Sequence, residues 1–239
     1  MEQNKQIHEK TALKDNTRRA KRAVFMIWVI LVLDVAMGIF YIRKYSLLQQ
    51  ILDGSMLPDD IWVDAYDMLE GILALLYLLA VLISGITFIM WFRRAYYNLH
   101  QIKDDLSYSE GWAAGAWFVP ILNLFRPYQI MKELYEKTKE YLVEKKRIHP
   151  DALSLEWVGW WWALLIISSI VDRIIFKLPQ DSLEDLLTES VWQIISAVIG
   201  VVSAWITIKV IKAYADVEPL LQEKESSGPN EILYPSNER

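Results

Sequence analysis

The sequence predicts an all-α integral membrane bundle of four transmembrane helices, with a cytoplasmic re-entrant or interfacial segment and an amphipathic helix. Three observations lead there. The 239-residue chain is 54% hydrophobic, and its apolar residues gather into blocks instead of scattering as they would through a soluble core. The blocks are "AVFMIWVILVLDVAMGIFYI" (23–42), "GILALLYLLAVLISGITFIMWF" (71–92), "WVGWWWALLIISSIVDRIIF" (157–176) and "VWQIISAVIGVVSAWITIKVI" (191–211), each roughly 20 residues, the length a helix needs to cross about 30 Å of hydrocarbon. The third observation is charge asymmetry, because the placement of Lys and Arg orients a membrane protein more than the formal net charge of -5 does.

Lys14, Arg18, Arg19, Lys21 and Arg22 precede the first block, and Arg93, Arg94, Lys103, Arg126, Lys132, Lys137, Lys139, Lys145, Lys146 and Arg147 lie between the second and third. The other two loops, 43–69 and 177–190, are mainly acidic, with Asp53, Asp59, Asp60, Asp64 and Asp67 in one, Glu70 directly after it, and Asp181, Glu184, Asp185 and Glu189 in the other. Both termini and the segment 93–156 are therefore expected on the cytoplasmic side, and an even number of spans agrees. The organisation reads as a basic tail 1–22, a transmembrane domain 23–215 and a tail 216–239. Residues 1 to about 20 and those from about 223 are polar and predict mobile tails. Asp34 interrupts the first block where a signal peptide would be most apolar, so the block reads as an uncleaved anchor.

Within the loops, apolar residues at Ile61, Ala65, Met68 and Leu69 predict a short amphipathic helix leading into the second span. Asp181 or Ser182 is placed to cap the fourth. "RAYYNL" (94–99) and "KAYADV" (212–217) form a faint echo at the ends of the second and fourth spans, which a common interfacial ending explains.

With no cysteine there is no disulfide, thiolate nucleophile or thiolate metal site. His8, His100 and His149 are dispersed, and His100 with Asp104 at i, i+4 is the one pair with ligand spacing; a solvated helix face accounts for it. The sequence has no Gly-rich phosphate loop, H-E-x-x-H or G-x-S-x-G. No metal, cofactor or catalytic residue is expected, and basic residues strung along membrane edges make nucleic acid an unsuitable partner.

The middle segment opens with "WFRRAYYNLHQI" (91–102), where Arg93 and Arg94 suit phosphate headgroups. From 111 to 125 it is almost free of charge, yet too short to span. Pro120 should break any helix there, whereas Pro127 suits a first turn, so a helix is expected from Pro127 to about Arg147. Its apolar positions Ile130, Met131, Leu134, Tyr135, Tyr141 and Leu142 recur at helical spacing, the pattern of an amphipathic helix lying on the inner membrane surface or packed on the bundle. Gly111 and Gly115 form a G-x-x-x-G that would admit a close helix. "WFVPILNLFRP" (117–127) is expected to dip into the inner leaflet, with Arg126 snorkelling to phosphates and Asn123 bonded to backbone freed near the break or to a neighbouring helix.

At these residues the sequence resembles the bacterial membrane family catalogued as domain of unknown function 4328. A tryptophan-rich run including Trp117 precedes Pro-x-x-Asn-Leu-x-Arg-Pro, matched by Pro120, Asn123, Leu124, Arg126 and Pro127. The resemblance runs over about 23–215 and implies a bacterial multi-pass protein of the cytoplasmic membrane with no established activity.

Asp34 stands near the middle of the first span, where a carboxylate costs about 2.5–3.5 kcal/mol and marks a functional site or a buried pair. Arg173 in the third span is the expected partner, with Asp172 as a competitor and Ser168, Ser169, Gln193 and Ser196 lining the same half. The leading functional expectation is a non-enzymatic membrane platform that binds lipids or a partner protein, or self-associates. The alternative is a small transporter or channel component using Asp34 and Arg173. A membrane-embedded lipid enzyme, for which His100, Asp104 and Asp105 are the candidates, comes third.

Overall fold

The computed structural model describes residues 13–56 and 60–222, with the backbone alone at 60–63. Its elements are α1 (Thr17–Leu52), α2 (Asp60–His100), α3 (Trp112–Gly115), α4 (Arg126–Glu144), α5 (Leu155–Ile175) and α6 (Leu183–Val217), with 3-10 turns at Leu122–Leu124 and Glu218–Leu221. No strand occurs among the described residues. Four of the helices, α1, α2, α5 and α6, are long and apolar enough to cross a membrane. The fold class is the one the apolar blocks predict.

Three of these helices outrun their blocks. At about 1.5 Å per residue, the 36 residues of α1 extend to roughly 54 Å, well beyond a hydrocarbon core. The helix expected ahead of the second span is the first part of α2, continuous with it, and Met68 and Leu69 there are exposed. The side chain of Ile61, the tail residues 1–12 and 223–239 and the loop residues 57–59 lie outside the described residues. At the start of α6, Ser182 accepts from Asp185 N–H through its hydroxyl at 3.1 Å while its own N–H donates to the Asp185 carboxylate at 3.1 Å. This reciprocal cap satisfies two donors that the helix start would otherwise leave open.

Contacts divide the chain into two compact units. One, built from Lys21–Phe88 and Glu156–Lys212, holds the apolar blocks. Of its most apolar windows, that of α6 is 44% buried against 17% in each of α1, α2 and α5, so α6 is the helix most enclosed by the others. Val32, Ile39, Leu75, Leu82 and Val198 point outward, as lipid-facing side chains do, because lipid tails are as apolar as leucine and reward no burial. Phe88 stacks on Trp161 at 5.8 Å, and Lys209 Nζ sits 3.4 Å from the centre of the Trp157 ring.

The other unit takes 13–20, Ile89–Leu155 and 213–222 among the described residues. It is built like a water-soluble core, with Trp91, Phe92, Tyr96, Ile130, Leu134 and Tyr135 buried. α4 starts where expected, with Pro127 in its first turn, and buries Ile130, Met131, Leu134, Tyr135 and Leu142 on one face. It ends at Glu144 because Lys146 adopts φ 55, letting Arg147 N–H reach Leu142 O at 2.8 Å and Lys146 N–H reach Val143 O at 2.9 Å. That is a Schellman closure with lysine where glycine is usual. The stretch 13–20, read from the sequence as part of a mobile tail, is held here. Lys14 N–H donates to Asn98 Oδ1 at 3.0 Å, and Asn98 Nδ2 returns a bond to Lys14 O at 2.9 Å.

Candidate functional site

Residues 116–125 form an apolar apex between α3 and α4. Ile121 has φ 69 and ψ -52, and Leu122 N–H bonds Pro120 O at 2.8 Å. An i to i+2 bond around a residue with those angles is a γ-turn of the strained hand. For a β-branched residue it costs roughly 1–3 kcal/mol and persists only where the surroundings enforce it. Its effect is to present side chains: Phe118 and Ile121 are 75% and 73% exposed, and Val119, Leu124 and Phe125 are also exposed. Pro120 is exposed at the break it was expected to make, and Trp117 is half-buried at the base.

Several expectations for this stretch change. Pro127 is buried under the start of α4 instead of merely opening a surface helix. Asn123 is exposed; its backbone N–H donates to Val119 O at 3.0 Å, while its side-chain amide bonds no other described residue because the turn leaves it facing outward. Arg126 lies over the Tyr108 ring at 4.5 Å, so it is braced by an aromatic face instead of extending freely. Among the described residues no helix uses the Gly111/Gly115 pair: nothing comes within 4 Å of a Cβ on Gly111, and Gly115 meets only the Trp112 ring. Arg93 pairs with Glu110 at 3.5 Å, and Arg94 forms no ion pair among the described residues.

Beneath the apex a polar anchor fixes loop 101–111. Glu133, on the otherwise apolar face of α4, accepts from Tyr96 OH at 2.5 Å and from Ser107 N–H at 2.7 Å. His100 Nε2 contacts Tyr108 O at 3.0 Å, and Tyr108 OH donates to Gln129 Oε1 at 3.2 Å. Lys137 pairs with Asp105 at 2.5 Å, which holds the Asp105 carboxyl below the usual range and raises the lysine. His100 and Asp105 thus each fasten the loop to a different partner. Asp104 is exposed, and no hydrogen bond joins it to His100 or Asp105 among the described residues. The echo between "RAYYNL" and "KAYADV" has a structural counterpart here: Tyr96 bonds Glu133, and its equivalent Tyr214 lies 3.2 Å from Thr138 Oγ1, both on α4.

A second buried cluster joins residues far apart in sequence. Glu218 accepts from Asn98 Nδ2 at 2.7 Å and from Asn16 Nδ2 at 3.0 Å, while Asn16 Nδ2 also donates to Trp91 O at 3.2 Å. Burial pushes the Glu218 carboxyl up to about 7, against the pull of Asn98 and Asn16. It lies seven residues beyond the fourth apolar block.

In the unit holding the apolar blocks, the expected Asp34–Arg173 pair is not formed among the described residues. Asp34 is buried and accepts from Tyr77 OH at 2.9 Å. Arg173 is exposed. Asp172 accepts from Ser196 Oγ at 3.4 Å, and Ser169 Oγ donates to Leu165 O at 2.9 Å within its own helix. Ser168 and Gln193 are half-buried. Tyr77 was not singled out from the sequence, although a signal existed. Asp34 and Tyr41 are seven apart on α1, Glu70 and Tyr77 seven apart on α2, and antiparallel helices pair them reciprocally, with Tyr41 OH donating to Glu70 at 2.8 Å.

Residues 55–216 match the domain of unknown function DUF4328. The chain belongs to that family. The match takes in the apex, the anchor beneath it and α4, and it begins after α1, so Asp34 lies outside the matched DUF4328 region while Tyr77, Asp172 and Gly200 lie inside it. No curated protein and no solved structure was found to be similar to the chain.

Proposed function

We propose that this DUF4328 chain is a multi-pass protein of the bacterial cytoplasmic membrane, with both termini cytoplasmic, whose apolar apex engages membrane lipid. The reading is non-enzymatic: it needs binding surface and no nucleophile or base. The observation that carries it is the γ-turn at Ile121, which holds Phe118, Ile121 and Leu124 out from a well-packed unit. Exposed apolar side chains on a folded unit mark an interaction surface. Arg126 beside them adds a cation suited to phosphate. The same chemistry would serve a protein partner or a second copy, and the experiment separates these. A single cysteine at Phe118 in the otherwise cysteine-free chain carries a fluorophore, and the full-length protein sits in nanodiscs containing brominated lipid. Strong quenching by bromolipid supports lipid engagement. Quenching by aqueous iodide alone contradicts it, and protection from both quenchers points to a protein partner or self-association.

A further inference from the structure

We propose that Asp34 is a reversible proton-binding site within the bundle of apolar helices, reached along a polar row on α6. This goes beyond the platform role, which uses neither Asp34 nor that row. Glu189, Gln193, Ser196, Gly200, Ser203 and Thr207 recur every three or four residues and so share one face of α6. Two carboxylates from other helices meet that row. Ser196 Oγ donates to Asp172 of α5 at 3.4 Å. One turn further on, Gly200 makes room for Asp34 of α1: a Cβ there would stand 2.7 Å from its Cγ, Oδ1 and Oδ2.

The row alone would mean only close packing. What points to a ligand is the Asp34 carboxyl, 3% exposed, with Oδ1 bonded by Tyr77 and Oδ2 buried without any hydrogen bond from the described residues. An ionised carboxylate so placed keeps much of its charge uncompensated in apolar surroundings. A proton on Oδ2 removes the charge at the atom that lacks a donor, while Tyr77 continues to donate to Oδ1.

Among the described residues, no cation is paired with the site. The facing groups are Tyr77 from α2, Asp172 from α5 and the polar row of α6. On α1 itself, Lys44 and Tyr41 are committed to Glu70 at 2.6 and 2.8 Å, and Glu189 of α6 lies within electrostatic reach of Tyr41. Arg173 makes no ion pair with Asp34 among the described residues. The exchange balances simply. A protonated Asp172 gives up its proton and becomes a carboxylate as Asp34 Oδ2 gains an O–H, and hydronium from solvent then reprotonates the exposed Asp172, leaving water.

Infrared difference spectra of the full-length protein in nanodiscs, recorded across pH, test this through the carboxylic C=O stretch. A band that grows on acidification, disappears in Asp34→Asn and shifts to higher frequency in Tyr77→Phe is expected, since Oδ1 loses its donor in the latter. The Tyr77→Phe shift keeps the test readable should the Asn variant fail to fold. A band absent at every pH, constant at every pH, or indifferent to both substitutions overturns the proposal. So does a titration that moves with sodium concentration, which would assign the site to a metal cation. These outcomes are independent of whether the apex meets lipid.

Discussion

Tyr77 donates its hydroxyl to Asp34 at 2.9 Å, and this bond, not an ion pair, is what the buried carboxylate has from α2. Removing either partner should destabilise the bundle, and a double-mutant cycle of Asp34→Ala with Tyr77→Phe should give a coupling of about 1–3 kcal/mol. The corresponding cycle with Arg173→Gln should be additive. Thermal unfolding of the purified protein checks both, and a large Asp34–Arg173 coupling would contradict the observed pairing.

Gly200 should be intolerant of a methyl group. Its Cβ would meet all three carboxyl atoms of Asp34 at 2.7 Å, so Gly200→Ala must displace Asp34 and with it the Tyr77 bond, at a cost of roughly 1–3 kcal/mol. Gly85→Ala is the control: nothing lies within 4 Å of its Cβ, alanine is the better helix former, and its melting temperature should stay at or above that of the wild type.

Glu218 predicts a pH dependence of stability. Its carboxyl is pushed up from 4.5 to about 7 by burial, with Asp15 adding repulsion and Asn98, Asn16 and Arg94 opposing. A raised folded-state value means the folded form holds the proton more tightly. The resulting stability is fully present below the unfolded value and is lost as pH rises from about 4.5 to about 7, on the order of 3 kcal/mol in all. The melting temperature should therefore fall between pH 5 and 7 and then level off with respect to this group. Glu218→Gln should flatten that slope; an unchanged slope would place its origin elsewhere.

What the sequence revealed and what it withheld follow from range. The four apolar blocks and the buried face of α4 are periodic patterns within single segments, and length and spacing suffice to read them. The partner of Asp34 was misread because hydropathy marks a costly carboxylate without saying which neighbouring helix turns a donor toward it. The Glu218 cluster was invisible for a related reason, since Asn16 and Glu218 are 202 residues apart and each looks like an ordinary polar residue beside a helix end. Pro120 announced a break at the apex. That the chain would turn on a β-branched residue at positive φ could not be read, because no local preference favours it.

At Pro127 and Ile121 the expected outcomes differ from a simple helix-breaking rule. Pro127 is buried at the start of α4, so Pro127→Ala should lower stability through lost packing even though the helix itself tolerates alanine. Ile121→Gly should relieve the strained turn and leave stability equal or higher, while weakening the bromolipid quenching at Phe118. A large loss of stability in Ile121→Gly would show that its side chain is structural.

The most direct test of the apex as a membrane-contacting element is cysteine scanning from Gly111 to Gln129 in the cysteine-free chain, read as labelling by a water-soluble maleimide in inside-out vesicles. Protection centred on 117–125, with labelling at Gly111 and near Gln129, is the expected result. Uniform labelling across the stretch would make it an ordinary aqueous loop and would contradict lipid engagement.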